Sequence, residues 1–199
     1  MPLRFAPAPA TARQSVLSAL ESGAGPVPAR LRPELALPVH EITGVSRQGP
    51  PRTGLTGWRF LLAPVPAAPA SDGRPAAPGP ASPSPVSAAE TMPTADGWAF
   101  AHFRGGPYVS ATLRALGQAE GLPLPYQPRL LSVPELYMLT LWLHSVADAD
   151  PAAHSPDAAD LVIPLAPAPP GIASHQPQRV DTLLPLLTHR LRSVPLIGA

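Results

Sequence analysis

Gly57-Trp58-Arg59-Phe60-Leu61-Leu62 and Gly97-Trp98-Ala99-Phe100-Ala101-His102-Phe103 decide how this chain is read. Both have the period-two pattern of a strand with two different faces. In the first, Trp58, Phe60 and Leu62 share one face, and Arg59 and Leu61 take the other. In the second, Trp98, Phe100 and His102 fall on one side, with Ala99, Ala101 and Phe103 opposite. The shared Gly-Trp-x-Phe predicts two strands that pair with each other, each opened by a glycine. Two copies of four residues are too short to define an internal repeat.

Residues 64–93, between the two segments, hold nine prolines, eight alanines and four serines, and no aromatic residue. Such a run has little to bury and resists regular structure, so it predicts a flexible insert in a globular domain.

The rest of the chain supplies partners for these strands. Thr11 to Ser22 reads as a short helix with Val16, Leu17 and Leu20 on one stripe and Gly23 as its stop. Residues 24–34 form a Pro-broken connector. Leu35 to Ile42 reads as an edge strand, because Pro38 lacks the N–H that a central ladder needs. Arg104-Gly105-Gly106-Pro107 turns the second aromatic strand into a helix over 107–120, with Pro at its first position and Gly121 as its stop. Arg129-Leu130-Leu131 reads as a short strand. Ser132-Val133-Pro134-Glu135 has the spacing of a capping box, which predicts a helix over 134–147. Leu136, Tyr137, Met138, Leu139, Leu141, Trp142, Leu143 and Val146 cover most of that helix's circumference, making it the central buried one. Residues 148–159 form an acidic loop. Leu161-Val162-Ile163 is a strand ended by Pro164, residues 164–170 favour polyproline II, and 178–193 form an amphipathic helix that Pro185 kinks or begins.

The expected fold is α+β: a small mixed or antiparallel sheet packed against two or three helices, with the long Ala/Pro/Ser-rich insert. The expected organisation is an N-terminal helix and connector over 1–34, then one domain over 35–199 interrupted at 64–93.

Composition narrows the function classes. Of 199 residues, 32 are proline, enough for low complexity, yet 45% are apolar, too many for a wholly disordered chain. All 14 basic residues are Arg, with no Lys or Asn, a bias that a GC-rich genome explains more simply than phosphate recognition does. Net charge is +1 and no basic stripe is present, which argues against nucleic acid as a partner. Charge is uneven: residues 1–60 carry seven Arg against three acids, and 130–178 carry five acids and no Arg. The absence of cysteine excludes disulfides and thiolate metal sites. No secretory h-region or membrane-length apolar run is seen, so the expected setting is the cytoplasm, without a membrane partner.

Five constellations bear on chemistry. Arg104, Gly105 and Gly106 at a helix N-terminus combine exposed amides, a helix dipole and a cation, as an anion site requires; no Walker A loop or dinucleotide fingerprint accompanies them. His144, Asp148, Asp150, His154, Asp157 and Asp160 include metal-ligand types, but their spacing matches no compact metal motif and equally describes an acidic surface loop. Ser110 and Ser174 lack a nucleophile elbow. Pro164, Pro167 and Pro170 give PxxP spacing twice, a candidate partner-binding segment that lacks a flanking Arg. Trp58 and Trp98 suit a ligand platform or the packing beneath a helix.

No catalytic, cofactor-binding or metal-ligating set is assigned, and no cofactor is implied. The leading expectation is a non-catalytic accessory protein that binds another protein, as a subunit of a larger assembly. The alternative is a domain that binds or transforms a small anionic ligand at Arg104-Gly105-Gly106.

Overall fold

A computed structural model describes residues 3–23, 31–44, 51–65, 87–153 and 155–192. Elements run α1 (Ala10–Glu21), β1 (Leu31–Gly44), β2 (Arg52–Pro64), β3 (Ser87–Thr94), β4 (Gly97–Arg104), α2 (Pro107–Ala119), β5 (Gln127–Val133), a short 3-10 turn (Pro134–Leu136), β6 (Met138–His144), β7 (Leu161–Pro164), β8 (Gln178–Arg179) and α3 (Val180–Arg192). The fold is α+β, and its eight-stranded sheet has the order β4-β3-β2-β1-β5-β6-β7-β8. Every neighbouring pair is antiparallel except β1 and β5, which run parallel at the centre.

That order is a palindrome. Each half of the chain is a helix followed by a four-stranded antiparallel meander: α1 with β1 to β4, then α2 with β5 to β8. The two meanders join through their first strands. The two helices take opposite faces, as a two-fold axis lying along the strands demands. On one face Ala12 and Val16 of α1 pack against Trp58, Phe60, Leu62 and Ala89. On the other, Val109, Ala115, Leu116 and Ala119 of α2 pack against Leu61, Leu130, Leu141 and Ile163. α3 has no counterpart among the described residues of the first half. It lies on the α1 face, burying Leu183, Leu184 and Leu187 against Trp142 and Val162.

Helices on both faces explain the apolar runs. β5 and β6 are buried nearly throughout, so neither face needs polar residues. This corrects the expectation of a central helix over 134–147. The capping-box residues start only the 3-10 turn, Tyr137 reverses the chain at φ 50, and the apolar run that follows is strand β6.

Four further expectations change. Residues 87–93 are part of β3, so the C-terminal end of the expected insert is ladder; the stretch 66–86 lies outside the described residues. β3 also separates the two Gly-Trp-x-Phe strands, which are therefore not paired with each other. β1 is central, not an edge: Pro38 sits opposite Trp58, and the ladder to β5 begins one residue later at Val39. The connector expected over 24–34 is strand from Leu31, and its residues 24–30 lie outside the described residues.

At Gly57 the backbone of β3 leaves no room for a side chain. A Cβ built there would stand 2.4 Å from the Thr91 carbonyl oxygen. The glycine is required by that contact and not by its dihedral angles.

Candidate functional site

The first half of the sheet ends in β4, and no strand of the described residues pairs with its outer edge. At the other end β8 is two residues long and runs directly into α3. Short edge strands are one way proteins blunt unwanted pairing; β4 has eight residues and no lysine or proline, and carries one bulge, at Ala101.

β4 has two chemically different faces. Opposite β3 a bulge leaves Ala101 without a partner, since Thr91 pairs with Phe100 and Glu90 with His102. The extra residue shifts the alternation, so Phe103, and not His102, shares a face with Trp98 and Phe100 under α1. The Phe100 and Phe103 rings lie 4.7 Å apart between centroids. Trp98 joins this cluster beside buried Trp58, which puts both tryptophans in the packing beneath a helix.

On the opposite face four polar side chains meet across three strands. Arg59 of β2 is opposite Glu90 of β3, which is opposite His102 of β4. Glu90 accepts from Arg59 through Nε at 2.8 Å and also through Nη2. It takes Arg104 Nε at 3.0 Å and lies 3.2 Å from His102 Nε2. Burial pulls the Arg59 guanidinium below its ordinary pKa, against the pull of Glu90. Burial pushes the Glu90 carboxyl up, but Arg59, Arg104 and His102 together hold it below the usual carboxylate range. Arg59 Nη1 is buried with no hydrogen-bond partner among the described residues. Three basic groups thus converge on one carboxylate. An arginine alone in an apolar strand and a lone Glu90 in an alanine-rich run were the available sequence signals for this pairing.

Arg104 therefore turns toward Glu90 and His102. Gly105 and Gly106 lead into α2, where Gly106 takes φ 98 and the Val109 amide closes back on its carbonyl. Ser110 donates to the Pro107 carbonyl, and no base contacts it among the described residues.

A second polar cluster lies beneath the loop of residues 145–160, on the α3 face. Asp160 is fully buried and accepts from Trp142 Nε1, His144 Nδ1, the amide and hydroxyl of Ser145, and the Asp157 amide, at 2.7–2.9 Å. Burial pushes its carboxyl up; those bonds outweigh it and hold the pKa at about 2. Arg129, equally buried, donates to the Ala153 and Asp150 carbonyls and to Gln127, and stacks over Trp142. Gln127 reaches the Ala147 and Ala149 carbonyls, and His40 lies 2.8 Å from the Pro151 carbonyl.

These residues fasten the loop by its backbone. Of the metal-ligand types noted in sequence, only the side chains of His144 and Asp160 touch among the described residues. Asp148 faces Arg4, Asp150 and Asp157 cap nearby amides, and His154 lies outside the described residues. No group of three potential metal ligands forms among the described residues. The His144–Asp160 pair has the form of an oriented base, but the Ser145 hydroxyl donates to the same carboxylate and is not offered to the imidazole.

Pro164 is buried in β7, where its carbonyl accepts the His175 amide. Pro167 and Pro170 are exposed, and the Ile172 amide closes a turn onto Pro169. No helix of the described residues is long and apolar enough to cross a membrane. No family model matches the chain, and neither does a curated protein or a solved structure.

Proposed function

We propose that this is a non-catalytic accessory protein that binds another protein by adding a strand of its partner to the outer edge of β4. The supporting observation is the edge itself: an eight-residue strand without lysine or proline whose outer edge pairs with no strand of the described residues. Main-chain hydrogen bonds along an open edge supply affinity, and alternate side chains supply selectivity. The cluster beneath the loop supports the same reading, since the Arg129 donors and the Asp160 acceptors are spent on neighbouring side chains and on loop backbone. Binding of a small anion at Arg104-Gly105-Gly106 is less well supported, because Arg104 is engaged by Glu90.

The test is capture from host lysate combined with amide hydrogen exchange on the purified complex. Binding should slow exchange at alternate β4 amides. Ala99→Pro and Ala101→Pro each remove one amide; whichever keeps wild-type melting should lose the captured partner. A complex in which β4 exchanges as in the free protein would end this proposal.

A further inference from the structure

We infer that the segment added to β4 is acidic: an extended chain with carboxylates at alternate positions, facing His102 and Arg104. This rests on strand addition at β4. His102 and Arg104 are two residues apart on one face, with side chains 49% and 45% exposed. Side chains of an added strand would lie roughly 5 Å from them, directly opposite. The charge there is unbalanced. Among the described residues, Glu90 is the one carboxylate contacting Arg59, His102 and Arg104. Added acidic side chains supply the missing charge in a partly desolvated setting, where opposite charges attract more strongly than in water.

The opposite face sets the intervening positions. Trp98, Phe100 and Phe103 line it beneath α1, so the residues alternating with the carboxylates are apolar. A second copy of this chain is a poorer occupant, because it would bring its own His102 and Arg104 to the junction.

The experiment uses the full chain and three labelled eight-residue peptides, alternating Val-Glu, Val-Thr and Val-Lys, read by fluorescence anisotropy and β4 amide exchange. The Val-Glu peptide should bind at least about tenfold more tightly than Val-Thr, the size of one good charge pair, and slow β4 exchange. Arg104→Glu should abolish that preference; His102→Glu serves if Arg104→Glu perturbs folding beside Glu90. Equal affinity for Val-Glu and Val-Thr, with β4 protected, would overturn the acidic preference and leave strand addition standing. Absence of peptide binding, with β4 exchange unchanged, would overturn both. Concentration-dependent self-association that protects β4 and excludes the peptides would show that a second copy is the occupant and overturn the inference.

Discussion

The indole Nε1 of Trp142 donates to the Asp160 carboxylate at 2.7 Å, where neither residue is exposed to solvent. With His144, Ser145 and Asp157 also donating, the carboxylate's acceptor sites are filled. Asp160→Asn replaces one acceptor oxygen with a donor facing donors. It should cost about 2–4 kcal/mol of unfolding free energy, read by urea denaturation.

The same carboxylate sets an acid limit. Its folded pKa of about 2 lies below the ordinary carboxylate value, so its contribution is complete above pH ~4 and is lost as pH falls toward 2. The loss should approach roughly 2 kcal/mol and be missing in Asp160→Asn. Parallel stability curves for the two proteins between pH 5 and pH 2 (a range spanning both pKa values) would refute this role.

Arg129 holds the loop of residues 145–160 from below through the Ala153 and Asp150 carbonyls. Arg129→Leu leaves both carbonyls without that donor and removes the cation stacked over Trp142. Stability should fall by about 2–4 kcal/mol, as when a buried charge network loses one member. Hydrogen exchange should rise first in residues 145–153, ahead of β5 and β6. Uniform acceleration across the sheet would show that Arg129 supports the core as a whole and not the loop.

Much of this arrangement was legible in the chain. α1, α2, β2, β5 and β7 follow from periodicity, glycine stops and Pro107. β6 was not, because a strand buried on both faces is a continuous apolar run, and so is a buried helix. Met138 to His144 carries no alternation to separate the two, and Ser132 to Glu135 copies a helix start. The site was only partly legible. Arg104 stood out beside two glycines, but its engagement by Glu90 depends on a ladder running through Arg59 and on a bulge at Ala101. The palindromic sheet left no trace in the sequence, since its two halves share connectivity and not residues.

Gly57 tests how tightly that ladder is set. The Cβ of Gly57→Ala would lie 2.4 Å from a backbone oxygen of β3, which no rotamer change relieves. The substitution should cost about 1–3 kcal/mol, in the range of overpacking a core. Gly105→Ala meets nothing within 4 Å and is the control. A Gly57→Ala protein that melts with wild type would mean β2 and β3 can part without loss.

The boundary between ladder and insert gives the last prediction. Residues 66–86 contain no aromatic, leucine or isoleucine, so they offer little apolar area, whereas Ala88 and Ala89 are fully buried and Glu90 is the anion for Arg59. Leu62 and Ser87 face each other across β2 and β3, close enough for a short turn to join the strands. Replacing residues 66–86 with a four-residue Gly/Ser turn should leave the melting temperature within a few degrees of wild type, since such segments bury too little to stabilise a fold. Extending the deletion through Met92 removes most of β3, strands Arg59 as a buried cation and detaches β4 from the sheet. That protein should show no cooperative transition in calorimetry. If the shorter deletion also abolishes the transition, the insert contributes to the core; if the longer one melts normally, β3 is not the strand that carries β4.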